Sequence, residues 1–365
     1  VKAIYTCDDR GEWCDNGEYL AFGLENVADR KAQPLIAMGR GTWSTAYPVK
    51  VALAKGKTIK AGGKKYNAVE CETPHALRNF LSESDFFRRG SYTGIATGKT
   101  GNQTLTYGAY EPQALKLDGK KNPMIIWLHG GGEGGTDVSI ALMGNEVVSL
   151  IREDIQSHFT TEGGDKGAYV LAVQCPTMWM DTSKGMGQGQ YPSLYSDVLM
   201  ATIQHYLAEN PDVDPNRLYL GGCSNGGYMT MNMIIEYPEY FAAAYPICPA
   251  GSISEEEAKT LVDLPIWFIH AKNDDTVNVK GTEQSIANLI AAGNENVHVS
   301  YFDDVHDTTG RFDDEDGNPY QYSGHWSWVY FDNNECFDEE GTNCWEWLAA
   351  QTKAVVDEPE TPDTP

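Results

Sequence analysis

The pentapeptide GCSNG at residues 222–226 constrains the fold of this chain more than any other segment. It follows an apolar run, Arg217 to Leu220, and precedes a helix-like run, Tyr228 to Ile235. A Gly-x-Ser-x-Gly sequence between a strand and a helix is typical of a sharp turn that exposes the serine hydroxyl above a sheet. Glycine is expected at both flanks because a Cβ atom there would collide with a neighbouring element. The motif predicts that Ser224 is a nucleophile, although a plain strand–helix turn also fits the pentapeptide alone.

A glycine-rich turn precedes this motif in the sequence PMIIWLHGGGEGG at residues 123–135. Here a buried strand leads into a His-Gly-Gly-Gly turn, a pattern that supplies backbone donors for an oxyanion. We predict that the N–H groups of Gly131 and Asn225 form the oxyanion hole, each contributing about 3 kcal/mol to transition-state stabilisation. His129 is predicted to orient the turn. A phosphate-binding loop is disfavoured because no Gly-Lys-Ser/Thr sequence follows the glycines.

A serine in a Gly-x-Ser-x-Gly turn needs an acid and a base as partners, and these follow it along the chain in the order acid, then base. The apolar strand PIWFI at residues 265–269 ends in HAKNDDTV at residues 270–277. A carboxylate just past the C-terminal end of a buried strand can reach the mouth of a sheet. Either Asp274 or Asp275 could serve, and Asp274 is preferred. A solvated acidic turn is the alternative in a chain with a formal net charge of -25.

Three histidines follow Asp274 and are candidates for the base. His298 lies inside an alternating strand and is predicted to be structural. His306 follows an acidic turn, and His325 lies in the aromatic sequence GHWSW at residues 324–328. A loop histidine that is packed by aromatic rings suits a general base. Position alone leaves His306 and His325 nearly equal.

Together these motifs resemble those of the α/β-hydrolase superfamily, and in particular of secreted bacterial esterases related to polyhydroxybutyrate depolymerases and to feruloyl and acetyl-xylan esterases. The resemblance covers about residues 92 to 352 and is carried by LHGGGEGGTD (128–137), DPNRLYLGGCSNGG (214–227), HAKNDDTV (270–277), GHWSW (324–328) and WEWL (345–348). It implies that His325 is the base and Asp274 the acid. One departure is Ala271, which follows His270 at a position where relatives often have glycine.

The resemblance also implies a reaction and a range of substrates. Ser224, activated by His325 and Asp274, would form a covalent acyl-enzyme without a metal or an organic cofactor. We expect a serine esterase acting on small-molecule or polysaccharide-linked esters, with feruloyl or acetyl groups of plant cell walls preferred. A polyester depolymerase or a general short-chain esterase is one alternative, and a serine peptidase of the prolyl-peptidase type is another. A non-catalytic carbohydrate-binding module is disfavoured because all three catalytic residues are present.

Strand-like and helix-like segments alternate along the catalytic region. This predicts an α/β fold with a mostly parallel sheet that is covered by helices on both faces. Residues 91–353 form the predicted catalytic domain. Residues 1–90 contain short β-prone runs separated by Gly-Lys and Gly-Gly turns, which predict a β-rich region. Several of the esterases that this chain resembles carry an immunoglobulin-like domain of about this size in front of the catalytic domain. Residues 354–365 are acidic and rich in Pro and Thr, which predicts a linker to a further module.

Two loops are predicted to shape the substrate pocket. The segment QCPTMWMD at residues 174–181 offers Met178 and Trp179 as apolar surface beside the serine. Packing of the loop by Trp179 is an equally good interpretation. The second loop runs from Asp303 to Ser323 and contains DDEDGN at residues 313–318, whose oxygen atoms could bind calcium. A turn is favoured there, since Asp-Gly-Asn is a common turn sequence and the twelfth-position Glu of an EF-hand is missing.

Composition is consistent with a secreted enzyme. The net charge of -25 disfavours nucleic acid and anionic membranes as partners, because both are polyanions. No apolar run is long enough to span a bilayer. The sequence begins VKAI without the features of a signal peptide, which we expect to have been removed from an extracellular protein.

The chain contains eight cysteines, an even number that suits disulfides in an oxidising compartment. Bridges between Cys7 and Cys14 and between Cys336 and Cys344 are predicted because each would close a short polar loop. Cys175, Cys223 and Cys248 are interpreted instead as thiols packed inside the protein.

Overall fold

The structure is a computed structural model that describes residues 3–8, 13–23, 36–37, 42–43, 49–72, 82–96, 101–161, 163–180, 192–310 and 312–353. The chain divides into two compact units, Val1–Ser82 and Glu83–Pro365. The predicted linker at residues 354–365 lies outside the described residues.

The first unit is rich in short β-strands, as predicted. They are β1 (Ala3–Cys7), β2 (Tyr19–Gly23), β3 (Ile36–Ala37), β4 (Thr42–Trp43), β5 (Lys50–Ala52), β6 (Ile59–Ala61), β7 (Lys64–Tyr66) and β8 (Glu70–Glu72). They form antiparallel pairs, β1 with β2, β3 with β4, β5 with β8 and β6 with β7. Gly62 and Gly63 join β6 to β7 with φ angles of 54° and 76°, as a two-residue hairpin turn requires. An immunoglobulin-like sandwich stays a prediction, since the strands described here pair only two by two.

The second unit is built on one 8-stranded sheet. Its strands are β9 (Phe87–Ile95), β10 (Asn102–Tyr110), β11 (Asn122–Leu128), β12 (Tyr169–Gln174), β13 (Val213–Cys223), β14 (Ala243–Ile247), β15 (Ile266–Ala271) and β16 (Val297–Phe302). The spatial order is β16-β15-β14-β13-β11-β12-β10-β9. The strands from β16 to β12 are parallel, whereas β10 and β9 are antiparallel at one edge. The prediction of a mostly parallel sheet is therefore confirmed.

Helices connect the strands of this sheet. They are α1 (Gln113–Lys116), α2 (Val138–Gly144), α3 (Glu153–Gln156), α4 (Ser196–Glu209), α5 (Asn225–Glu236), α6 (Glu255–Ala258), α7 (Lys280–Ala292), α8 (Trp328–Asp332) and α9 (Cys344–Ala350). Short 3-10 helices lie at Ser82–Phe86, Val147–Ile151, Ser157–Phe159 and Gly324–Trp326. Among the described residues, no helix combines the length and the apolar character needed to cross a membrane.

Both faces of the sheet are buried, because successive side chains of a strand point to opposite sides. On one face, Ile126 and Leu128 of β11 belong to a core that includes residues of α4 and α5. On the other face, Trp127 stacks on Phe331 of α8 with ring centroids 6.2 Å apart. Phe331 in turn packs against Trp345 of α9 at 4.2 Å. Helices therefore cover both faces, as the alternation of strands and helices predicts.

The edge strand β9 is the main element that the sequence does not predict. Its exposed positions include Arg88 and Arg89, and its apolar alternation is weak because only one side of an edge strand faces the core. It pairs with β10 from Phe87 opposite Tyr110 to Ile95 opposite Asn102. Residue 90, the predicted end of the N-terminal region, thus lies within a strand of the second unit, and the two compact units divide after Ser82 instead.

All eight cysteines are free thiols in the structure, so neither predicted bridge is formed. Cys7 pairs with Trp13 in an antiparallel bridge, so Cys14 is offset from it along the ladder. Cys336 and Cys344 are both buried, and the N–H of Cys344 donates to the carbonyl of Cys336 at 2.9 Å. The backbone therefore aligns the second pair but not the first.

Candidate active site

Ser224 occupies a sharp turn between β13 and α5. Its φ of 56° and ψ of -111° are rarely adopted by a residue other than glycine, and such strain is concentrated at functional sites. A Cβ atom at Gly222 or at Gly226 would overlap the carbonyl oxygen of Leu128 in β11. Both flanking glycines are thus required by close backbone approach, as predicted. The turn leaves Ser224 half-buried at the N-terminus of α5, where the helix dipole favours negative charge.

Three side chains that are distant in sequence meet at this turn. The Nε2 atom of His325 lies 2.8 Å from the Oγ atom of Ser224. The Nδ1 atom of the same ring lies 2.7 Å from Oδ2 of Asp274. With the proton on Nδ1, the imidazole donates to the carboxylate and accepts from the hydroxyl. The structure therefore brings together the serine, the base candidate and the acid candidate that the sequence singles out.

The carboxylate of Asp274 is fixed on both oxygens at the C-terminal end of β15. Its Oδ1 atom accepts hydrogen bonds from the N–H groups of Thr276 at 2.9 Å and Val277 at 2.8 Å. Burial favours the neutral acid, but hydrogen bonds from His270, His325 and Val277 outweigh it and lower the pKa of Asp274. The neighbouring Asp275, the other acid candidate, is exposed.

His270 holds the Asp274 carboxylate in place through a hydrogen bond, a role that the sequence analysis did not predict. The ring is completely buried. Its Nε2 atom lies 3.1 Å from Oδ2 of Asp274 and 3.0 Å from the carbonyl oxygen of Val277. Its Nδ1 atom lies 2.8 Å from Oγ1 of Thr282 in α7. The only sequence signal is its position at the end of the same buried strand, four residues before Asp274.

His325 is held in a short helical turn that begins after Ser323. The Ser323 hydroxyl accepts the N–H of His325 at 3.3 Å, and the indole of Trp328 packs edge-on against the imidazole at 5.6 Å. Burial opposes protonation of His325, but Cys248 and the hydrogen-bonded Asp274 outweigh it, and together they raise the pKa of His325. This environment stabilises the imidazolium that forms when the ring accepts a proton.

The other histidines after Asp274 lie elsewhere. His306 has its Nδ1 atom 2.6 Å from Asp304 and 3.2 Å from the hydroxyl of Tyr330. His298 stacks on Trp267 with ring centroids 4.9 Å apart, and it contacts Asp338. His298 is therefore structural, as predicted, and His306 belongs to a surface cluster rather than to the Ser224 turn.

The predicted oxyanion donors lie on facing backbone segments. A Cβ atom built on Gly131 would lie 4.0 Å from the Cβ atom of Asn225, and Gly131 itself is exposed. Asn225 is the first residue of α5, so its N–H is one of those that a helix N-terminus leaves free of intrahelical bonds. His129 orients the turn: its Nε2 accepts the N–H of Cys175 at 3.1 Å, which leaves Nδ1–H to donate to the Gly130 carbonyl at 2.7 Å.

The two predicted pocket residues differ in their exposure. Met178 is half-buried, and its methyl group would lie 3.3 Å from a Cβ atom built on Gly131. The Trp179 ring is completely buried and offers no surface for a substrate, contrary to the prediction. Its indole N–H donates to the carbonyl of His129 at 3.0 Å, and its backbone N–H donates to Oδ1 of Asn225 at 2.8 Å. Trp179 therefore packs its own loop, the alternative left open by the sequence.

A row of aromatic rings extends from His325 toward solvent. Trp328 neighbours Trp326 at 6.3 Å, Trp326 stacks on Tyr322 at 6.1 Å, and Tyr322 contacts Tyr320 at 5.3 Å. Trp328 is buried, Trp326 is partly exposed, and Tyr320 is 38% exposed. Of these rings, Tyr320 and Tyr322 belong to the second predicted loop, which therefore provides aromatic surface at the outer end of the row.

Among the described residues, one cluster could offer ligands to a metal ion: one potential ligand atom each from Cys248, Asp274 and His325 lies within 4.8 Å of the others. The Asp274 and His325 atoms, however, hydrogen-bond each other. In the acidic loop at residues 313–318, Oδ1 of Asp314 accepts the backbone N–H groups of Asp316 and Asn318. This loop is closed by its own hydrogen bonds as a turn.

Comparison with known proteins agrees with this architecture. Residues 113–312, which contain Ser224 and Asp274, match the sequence profile of a family described as phospholipase/carboxylesterase. The chain is similar to the crystal structure of a thermostable esterase, at 25% identity and a TM-score of 0.62, over 81% of this chain and 70% of that chain. A ferulic acid esterase has 11% identity and a TM-score of 0.45, over 72% of this chain and 97% of that chain. The acylaminoacyl peptidase of Pyrococcus horikoshii has 17% identity and a TM-score of 0.40, over 60% of this chain and 37% of that chain. No curated protein sequence matches the chain.

Proposed function

We propose that this chain, which belongs to the phospholipase/carboxylesterase family of α/β-hydrolases, is a serine carboxylic-ester hydrolase with Ser224, His325 and Asp274 as its catalytic triad. The observation that carries the proposal is the hydrogen-bonded line from Ser224 through His325 to Asp274, with distances of 2.8 Å and 2.7 Å. Such an arrangement activates a hydroxyl that is otherwise too weak a nucleophile.

The reaction follows from these contacts. The Oγ atom of Ser224 attacks the ester carbonyl carbon while His325 accepts the hydroxyl proton, and the carbonyl oxygen becomes an oxyanion. The N–H groups of Gly131 and Asn225 stabilise that oxyanion. When the tetrahedral intermediate collapses, the alcohol leaves with the proton from His325. Water, deprotonated by the same imidazole, then attacks the acyl-enzyme and releases the carboxylic acid. Asp274 keeps the ring in the required tautomer throughout.

We further propose that the natural substrates are feruloyl or acetyl esters of plant cell-wall polysaccharides. The aromatic row formed by Trp328, Trp326, Tyr322 and Tyr320 supports this, because flat rings next to the histidine can stack on an aryl acyl group. The net charge of -25 also suits a neutral polysaccharide better than a polyanion. These substrates are extracellular, so secretion of the enzyme forms part of the proposal.

A substrate panel with one active-site variant tests this function. Purified protein is assayed on p-nitrophenyl acetate, p-nitrophenyl butyrate, methyl ferulate, acetylated xylan and a peptide p-nitroanilide. We expect hydrolysis of esters but not of the amide, and a loss of several orders of magnitude in Ser224→Ala. The exposed Ser252 provides the matched control, since Ser252→Ala should behave as the wild type. Near wild-type turnover by Ser224→Ala would refute the nucleophile. A preference for the amide would replace esterase by peptidase.

A further inference from the structure

A buried carboxyl group lies beneath the glycine turn and has no role in the mechanism above. Glu133 is only 7% exposed. Its Oε2 atom accepts the backbone N–H of Gly130 at 2.9 Å and the side-chain amide of Asn145 at 2.8 Å. Gly130 directly precedes Gly131, whose N–H is a proposed oxyanion donor. The Glu133 side chain therefore restrains the peptide plane next to that donor.

The same contacts tie the turn to the segment that carries the nucleophile. The amide of Asn145 also lies 3.2 Å from the Sγ atom of Cys223, the residue before Ser224. A Cβ atom built on Gly130 would lie 3.2 Å from that sulfur and 3.3 Å from the Asn145 nitrogen, so the turn packs tightly against both. The Glu133 side chain thus links the two halves of the site.

The backbone of Glu133 is anchored as well. The side-chain amide of Gln174, at the end of β12, donates to its carbonyl at 2.8 Å. Gly144 leaves the space that the second carboxyl oxygen needs, since a Cβ atom there would overlap Oε1 of Glu133. The pocket therefore fits this carboxyl group from several sides.

The surroundings of the carboxyl group favour its neutral form. Oε1 is buried without a hydrogen-bond partner, and none of the described basic side chains forms an ion pair with this carboxyl. Burial raises the pKa of Glu133 to about 8. Burial also lowers the pKa of the nearby His129 to about 4 and raises the pKa values of Cys223 and Asp332.

We propose that Glu133, as a neutral carboxylic acid, is a positioning residue that fixes the Gly130–Gly131 turn against the Ser224 elbow and so preorganises the oxyanion hole. The inference rests on the proposed esterase function. A neutral group can accept from Gly130 and Asn145 without placing a negative charge beside the developing oxyanion. Ionisation of Glu133 would add such a charge in a site of low dielectric and weaken oxyanion binding.

Two substitutions separate positioning from general stability. Glu133→Gln keeps the shape and the neutral acceptor oxygen, whereas Glu133→Ala removes both hydrogen bonds. On p-nitrophenyl acetate we expect Glu133→Ala to lose about 10- to 100-fold in kcat with little change in KM, because the donor is misplaced mainly in the transition state. Glu133→Gln should keep wild-type kcat near neutral pH. Glu153→Gln, an exposed carboxyl change in the same unit, is the control.

The pH profile supplies a readout that a purely structural role would not move. The ratio of wild-type kcat to Glu133→Gln kcat should fall as the pH rises through about 8, where Glu133 ionises, whereas the ratio of wild-type kcat to Glu153→Gln kcat should stay constant. A ratio of wild-type kcat to Glu133→Gln kcat that does not change with pH would overturn the proposal. A folded Glu133→Ala variant with the kcat of the wild type would also overturn the proposal. If that variant does not fold, the pH profile of Glu133→Gln decides alone. Activity that survives in Ser224→Ala would instead overturn the proposed function.

Discussion

The Nε2 atom of His325 lies 2.8 Å from the Oγ atom of Ser224, although 101 positions separate the two residues in the sequence. Three strands, β14 to β16, lie between them in the sequence: Ser224 follows β13, whereas His325 follows the long loop after β16. The contact exists because the parallel strands end at the same edge of the sheet, where the loops after them converge. The chemistry proposed for the chain depends on this single contact.

The choice between two histidines yields the first prediction. We expect His325→Ala to lower kcat/KM on p-nitrophenyl acetate by several orders of magnitude, because no other described imidazole contacts Ser224. His306→Ala is the matched control, since that ring contacts Asp304 and Tyr330 instead. Steady-state kinetics of both variants measure the difference. The reverse ranking would show that His306 is the base.

The pH dependence of the reaction follows from the environment of His325. Only the neutral imidazole can accept the Ser224 proton, and the pKa of His325 is raised above its ordinary 6.5. Activity should therefore fall on the acid side with a midpoint above that value. Asp274→Asn should lower the plateau about 10⁴-fold and move the midpoint to lower pH, since it removes a charge that favours the imidazolium. A pH profile of kcat/KM tests both effects, and an unmoved midpoint in Asp274→Asn would contradict the assignment.

Two glycines of the site are predicted to respond differently to alanine. A Cβ atom at Gly226 would overlap the backbone oxygen of Leu128, which cannot move without disturbing β11. We expect Gly226→Ala to lower the free energy of unfolding by about 1–3 kcal/mol and to abolish activity. At Gly131 the added methyl group meets only the flexible end of Met178 at 3.3 Å, so Gly131→Ala should stay nearly as stable while losing activity. Urea unfolding with kinetics measures both, and equal destabilisation would contradict the geometry.

The Cys336–Cys344 pair is predicted to form a disulfide when the chain folds under oxidising conditions, because both thiols are buried and unreactive once it has folded. Phe337 and Asn343 form an antiparallel bridge, so Cys336 and Cys344 are opposite each other in a hydrogen-bonded pair. Such pairs have Cα atoms roughly 5.5 Å apart, within the range of a disulfide. Mass spectrometry after oxidation, unfolding and alkylation should find the peptides of these two residues joined. The exposed Cys71 should be alkylated, and free Cys336 and Cys344 after the same treatment would refute the prediction.

The local elements around the site were accessible from sequence because each has a local cause. The glycines at 222 and 226 are required by contacts with β11, and buried apolar runs mark β11, β13 and β15. The edge strand β9 escaped prediction because its charged and half-exposed positions lack that signal. Likewise, the sequence cannot tell a buried Trp179 from an exposed one, since an indole suits either environment.

The sequence by itself determined the order of the motifs, the strand–turn–helix at Ser224 and the alternation that gives a parallel sheet, because short-range sterics and hydrophobic periodicity act along the chain. Position along the chain left His306 and His325 nearly equal, the family resemblance favoured His325, and the tertiary structure brought that ring to Ser224. Only the tertiary structure revealed that His270 is buried against Asp274 and that the Glu133 carboxyl contacts Gly130 and Asn145. Those contacts join residues from different loops, and their geometry depends on how strands from several parts of the chain align in one sheet.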